Sequence, residues 1–270
     1  MAISDISLTS GMRSNLVSLQ STVELLNRTQ ERLASGKRVN SPLDNATNYF
    51  VAKSHMDRAE DLSVRKDGMG EAIQTVKSAN EGITAITDLI ASAKGIAQSA
   101  LSAGTTERST LATQFGSIRT QIDQLAEDSG YKGTNLLDSG TLEVKFNEDG
   151  TNTLSITGFD ASTSGLAIDA AASSWASDEN INAAITDLDA ALTTLRSEAK
   201  TLSSNLNIIT TRNSFTQGMI NVLTEGATSL TAADTNEEGA NMLMLQVRQS
   251  LGTTALSLSA QAAQSVLRLF

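Results

Sequence analysis

The sequence predicts a mainly α fold: an antiparallel bundle of long helices forming a rod, with terminal coiled-coil helices and one small β-hairpin region. Three observations carry that reading. Apolar residues recur at alternating spacings of three and four over most of the chain, which sets them on one stripe of a helix. Only 3% of residues are aromatic and a single proline is present, while Ala, Leu, Ser, Thr and Asn dominate; such a composition favours long helices over a broad sheet or barrel. One short stretch near the middle switches to period two, the alternation of a strand.

The first helix follows Met12, Leu16, Leu19, Val23, Leu26 and Leu33, at spacings of 4, 3, 4, 3 and 7. Gly36 offers a helix stop, and Pro42 cannot continue a helix interior. A second helix runs from about Asn48 to Leu101 along Leu62, Met69, Ile73, Val76, Ile83, Ile90 and Ala97, with polar intrusions at Asn80, Thr87 and Lys94. Gly104 marks the next break, after which Leu111, Phe115, Ile118, Ile122 and Leu125 define a third helix. Leu142, Val144 and Phe146 then alternate with Glu143 and Lys145, and beyond the polar turn NEDGTN the alternation resumes at Leu154 and Ile156. This is one hairpin, too little sheet to stand as a domain. The Ser/Thr-rich stretch 151–174 reads as an exposed, solvated connection rather than a glycan-bearing one.

The cleanest heptad follows: Ile181, Ile185, Leu188, Leu192, Leu195, Ala199, Leu202, Leu206 and Ile209, continuing through Asn213 and Thr216 to Ile220, Leu223, Ala227 and Leu230. A helix of about fifty residues is about 75 Å long, more than a compact globule of this size needs. A last stripe joins Met244, Val247, Leu251, Ala255, Leu258, Ala262, Val266 and Leu269. Helices that run out and back return both ends to one pole, where they can pair. The organisation expected is a terminal coiled-coil domain of residues 1–40 and 231–270, a helical rod domain of 41–140 and 175–230, and a hairpin with connecting loop at 141–174.

Two helices cannot bury two broad apolar faces on each other. Ordering the roughly 70 terminal residues costs on the order of 1–2 kcal/mol each, while a buried aliphatic side chain returns about 1.5–3 kcal/mol, and each stripe has fewer than ten. The ends are therefore expected to be stable only when neighbouring subunits cover them. The candidate polymerisation interface is Met12, Leu16, Leu19, Val23, Leu26, Leu33, Leu251, Leu258, Val266 and Leu269.

Charge supports this division. Residues 1–40 hold five basic and three acidic side chains and residues 231–270 hold two and three, so the middle carries essentially all of the net charge of −10. That charge argues against a nucleic-acid partner. Cysteine is absent, which removes disulfides and thiolate chemistry. No apolar run approaches the roughly 20 residues that span a bilayer, so no membrane partner is expected. The N-terminal MAISDISLTSGMRSN has no apolar h-region, so secretion is expected to bypass a Sec signal.

Catalytic readings find little support. His55 is the only histidine and sits among Lys53, Asp57 and Arg58 on a helix surface. Asp187 and Asp189 fall on different helix faces, Met242 and Met244 read as packing residues, and Asn27-Arg28-Thr29 lies on an amphipathic helix rather than an acceptor loop. No phosphate-binding loop, zinc-protease motif or nucleophile elbow is present. The sequence predicts no enzyme, no cofactor and no metal.

ERLASGKRVNSPLDNAT (Glu31 to Thr47) resembles the RLSSGxRINSAxDDAA element of bacterial flagellins. GTNLLD (Gly133 to Asp138) is similar to their NGxxLL turn, and SLSAQAAQSVLRLF (Ser257 to Phe270) to their C-terminal signature. The resemblance spans roughly residues 1–140 and 175–270. It implies a short flagellin with a reduced variable outer region, self-polymerising through its terminal helices into an extracellular filament used for motility. It further implies export through the flagellar type III apparatus, an export chaperone on the C-terminal helix, and hook-associated proteins at the filament ends. The hook-filament junction protein, which shares these signatures at lower similarity, is the alternative. One departure has a consequence: where many flagellins carry LQRxRELxxQ, this chain has LIASAKGIAQ (Leu89 to Gln98), with Ala91 and Ala93 at the arginine positions and Gly95 at the leucine. Toll-like-receptor recognition uses that element, so weak or no recognition is expected.

Overall fold

A computed structural model of the chain describes residues 10–267, with side chains described to Ser265. Five α-helices dominate: α1 (Ser10–Ser35), α2 (Ala46–Leu101), α3 (Thr105–Asp128), α4 (Asp178–Thr231) and α5 (Thr235–Leu267). Strands β1 (Thr141–Lys145) and β2 (Thr153–Thr157) form an antiparallel hairpin with Val144 opposite Leu154 and Leu142 opposite Ile156. The described residues fall into two compact units, one running to Asp57 and resuming at Leu223, the other Arg58–Val222. Among them no helix is long and apolar enough to cross a membrane, and no group of three His, Asp or Glu side chains could hold a metal ion.

The Arg58–Val222 unit is built on two seams with a strict seven-residue period. Leu62, Met69, Val76, Ile83, Ile90 and Ala97 are buried on α2, and Ile181, Leu188, Leu195, Leu202, Ile209 and Thr216 on α4. The seams run antiparallel, because Lys94 pairs with Asp189 at one end while Lys66 Nζ donates to Gln217 Oε1 (2.9 Å) near the other. Helix α3 lays Ala112, Phe115, Ile122 and Ala126 on the same core. Gly82 lets α3's end close in: a Cβ there would lie 2.3 Å from Ser129 Oγ and 2.6 Å from Leu137 Cδ1.

The segment 158–177 departs from the solvated connection expected of it. Ala161, Thr163, Leu166, Ile168 and Trp175 are buried. Asp123 on α3 accepts from the Thr163 N–H (2.7 Å) and hydroxyl (3.2 Å), and Arg119 Nε donates to the Ile168 carbonyl (3.0 Å). Ser173, Ser174 and Trp175 adopt φ of 47°, 50° and 58°, a left-handed turn that drives Trp175 against Phe115 at a ring separation of 5.0 Å. Such backbone is costly outside glycine; here it buries the whole Trp175 indole, whose N–H has no partner among the described residues. The segment is core, closed over α3 by two charged side chains.

Candidate functional site

The other unit contains the terminal helix pair, and its base is tied by backbone. Gly36 ends α1 at φ 67°, a left-handed position that glycine tolerates. The chain then lies against the end of α4: Arg38 and Val39 N–H both donate to the Thr231 carbonyl (2.7 and 3.3 Å), and Ala233 N–H donates to Gly36 O (3.0 Å). Asn45 caps α2, accepting from Asn48 N–H (3.0 Å), and Asp234 caps α5, accepting from Asn236 N–H (2.9 Å). Arg32 Nη1 reaches Glu238 Oε1 at 2.9 Å, with the glutamate side chain 8% exposed. A buried carboxylate needs such a partner.

From that base α1 and α5 run antiparallel: Arg32 meets Glu238, and further along Leu19 lies against Gly252, where a Cβ would stand 3.1 Å from Leu19 Cδ1. Thr22 and Thr29 are the buried residues of α1; Thr22 satisfies its hydroxyl on the Ser18 carbonyl at 2.9 Å. Met12, Leu19, Val23, Leu26 and Leu33 are half-buried, and Leu16 is exposed. Of the α1 stripe read from the sequence, Leu19 therefore reaches the helix contact, while Leu16 stands in water.

The α5 stripe points elsewhere. The face turned to α1 carries Glu238, Leu245 and Gly252, spaced by seven, with the first two buried. Leu251 and Leu258 are 65% and 62% exposed, and Leu243, Met244 and Val247 are exposed with them. Val266 lies in α5 but its side chain is outside the described residues, as is Leu269 altogether. The reason is chemical: the apolar residues of α5 are spread round the helix instead of gathered on one face, so one face can pack on α1 while others remain bare. Gly252 on the inner face leaves room for Leu19 of α1. The inner heptad mixes an acid, a leucine and a glycine, so hydrophobic periodicity could not have found it.

His55 is half-buried on α2 with Gly226 of α4 nearby, and Asp189 is held by Lys94. What the unit offers is contact surface: an apolar helix face in water.

Comparison with known proteins places the chain in a family. Residues 3–141 match the family described as bacterial flagellin N-terminal helical region. The chain is 30% identical to flagellin FljM of Caulobacter vibrioides, with all of both chains covered. It is also 30% identical to a flagellin of Brucella melitensis, over 94% of this chain and 95% of that one. The crystal structure of Bacillus cereus flagellin aligns at a TM-score of 0.49 and 17% identity, covering 55% of this chain and 88% of that one. The chain thus belongs to the flagellin family, the structural subunits that polymerise with one another into the bacterial flagellar filament.

Proposed function

We propose that the terminal helices are the part of this subunit that builds the filament. The polymerisation interface consists of Met12, Leu16, Leu19, Val23, Leu26 and Leu33 on α1 with Leu251, Leu258, Val266 and Leu269 toward the C-terminus. The observation that carries this reading is the bare face of α5, where Leu251 and Leu258 stand in water beside a helix pair that has already used its other face. In the filament, faces of this kind on neighbouring subunits cover one another, and residues 1–40 with 231–270 form the filament core. Residues 41–140 and 175–230 form the surrounding helical domain, and 141–174 take the place of a larger variable region. The role is mechanical rather than enzymatic.

Several partners follow from the same reading. An apolar α5 needs cover before assembly, which an export chaperone on the C-terminal helix supplies during type III export without a Sec signal. Hook-associated proteins meet the same surfaces at the filament ends. Toll-like-receptor recognition is weak or absent: Ala93 sits in the core, Lys94 is paired with Asp189, and Ala91 brings no charge to the surface. A receptor-binding assay on soluble monomer checks this, and ordinary flagellin affinity would contradict it.

The experiment is seeded assembly of heat-dissociated monomer, followed by negative-stain electron microscopy. Long filaments are expected from the intact chain and none from a chain lacking residues 231–270. Filaments at normal yield from the truncated chain would refute the interface.

A further inference from the structure

The dipeptide Asp-Gly occurs twice in the chain, at Asp67–Gly68 and at Asp149–Gly150. It is the sequence in which an aspartate side chain most readily closes on its own backbone, because the following glycine sets no Cβ beside the attacking nitrogen. Both aspartates are exposed. An added Cβ would meet nothing within 4 Å at Gly68 and only Lys145 Cδ, at 3.5 Å, at Gly150. Access and crowding therefore do not separate the two sites; backbone does. Asp67 lies inside α2, where the Gly68 N–H belongs to the helical ladder and the next residue, Met69, is fully buried. Freeing that nitrogen means opening a helix over the core.

Asp149 stands at the tip of the β1–β2 hairpin. There the Gly150 N–H donates to the Asn147 carbonyl (3.1 Å), and Gly150 has a φ of 68°. The other bonds of the tip do not use that nitrogen: Asn147 Nδ2 donates to Thr151 Oγ1 (2.7 Å), Asn152 N–H to Asn147 Oδ1 (2.9 Å) and Phe146 N–H to the Asn152 carbonyl (2.9 Å). One turn bond can thus open while the hairpin stays closed, and loop tips are where such local opening costs least. We propose that Asp149–Gly150 is a site of spontaneous isoaspartate formation in the folded chain, and that Asp67–Gly68 is not. The Gly150 nitrogen bonds to Asp149 Cγ, the Cγ–OH bond breaks, and the nitrogen's proton leaves with that hydroxyl as water, closing a succinimide. Water then opens the ring. Where it cleaves the bond between the Asp149 main-chain carbonyl carbon and the Gly150 nitrogen, the chain runs on through Cβ and Cγ. Water is the only co-reactant; composition is unchanged and the backbone is one carbon longer. That carbon enters beside Glu148, whose carboxylate pairs with Arg58 and whose carbonyl accepts from Arg65 Nη2 (3.2 Å). The change therefore falls where the hairpin is fastened to α2. The chemistry needs no assembly, so its failure would leave the terminal-helix reading untouched.

The test is ageing of the intact, folded protein in neutral buffer, followed by proteolysis and electron-based fragmentation, which tells isoaspartate from aspartate position by position. Isoaspartate is expected in place of Asp149 and absent in place of Asp67. Asp149→Glu, whose longer side chain would have to close a six-membered ring, should abolish it with helix content unchanged. The same ageing in denaturant should bring isoaspartate to both positions, because what protects Asp67 is the helix. Unmodified Asp149 in the aged folded chain, or equal modification of Asp149 and Asp67, would overturn the proposal. Modification of Asp149 alone in denaturant would overturn its structural basis and assign the selectivity to the flanking residues.

Discussion

The two units of this chain spend their apolar residues differently. In Arg58–Val222 the seven-residue seams of α2 and α4 are closed: Met69, Val76, Ile90, Ala97, Leu188, Leu195 and Ile209 are fully buried within one chain. In the terminal unit Val17, Leu243, Val247, Leu251 and Leu258 face water, whereas in the larger unit the exposed apolar side chains Val64, Ile208, Phe215 and Val222 lie beside the closed seams. The contrast teaches what periodicity means in each place. A seam closed by its own chain is a core; the same pattern left open is, on the proposed reading, an interface for another copy.

Substitutions that separate folding from assembly test this contrast most strongly. Leu188→Ala empties a fully buried position and should cost about 2–5 kcal/mol of monomer stability, seen as a lower melting temperature. Leu258→Asp or Leu19→Asp should leave the central unit's melting unchanged while abolishing seeded filaments, because assembly would force a charge into an apolar core. If Leu258→Asp melts the monomer as Leu188→Ala does, the α5 stripe is an intrachain core after all.

Two smaller effects probe the joint between α1 and α5. Glu238→Ala strands Arg32 beside a helix contact and should weaken the pair by about 1–3 kcal/mol, read as lost protection of α1 and α5 amides with the central helices unaffected. Gly252→Val pushes against Leu19, whose Cδ1 would stand 3.1 Å from a new Cβ; a loss of about 1–3 kcal/mol is expected, relieved by Leu19→Ala. No relief would mean that α1 and α5 are not packed at that point.

The smallest effect is a pH dependence at the α1–α2 turn. Hydrogen bonds from the Ser41 and Asn40 backbone N–H groups, Ser41's the larger effect, hold the Asp44 carboxyl below its usual 3.8. A carboxyl lowered on folding stabilises above its unfolded value, and that stability is lost as pH falls through the lower folded value. The turn should therefore loosen only below about pH 4, and Asp44→Asn should remove that acid-dependent step from amide exchange at Asn40 and Ser41. An unchanged acid step in the variant would assign it to another group.

Much of the fold could be read from residue order because helices advertise themselves by spacing. The α4 heptad from Ile181 to Ile209 lies in one helix, α2 and α3 divide around Gly104, and the alternation at Leu142–Phe146 and Leu154–Ile156 marks both strands. The segment 158–177 could not be read so: Thr163 and Trp175 follow no period, and Trp175 enters the core through a left-handed turn that no local preference announces. The terminal pair was half legible. The stripes of α1 and α5 are visible as spacing, but which face of α5 meets α1 depends on Arg32 and Glu238, 206 residues apart in sequence, and on Gly252, which has no side chain to count.

On the proposed reading, α1 and α5 complete their burial on neighbouring subunits, while the seven-residue seams of α2 and α4 close within one chain. Hydrogen–deuterium exchange on monomer and on filament, at one pH and temperature, measures it directly. Amides of α1 and α5 should gain protection of several orders of magnitude on assembly, while the buried helical amides between Met69 and Ile209 change little. Equal protection of α1 and α5 in monomer and filament would contradict the account.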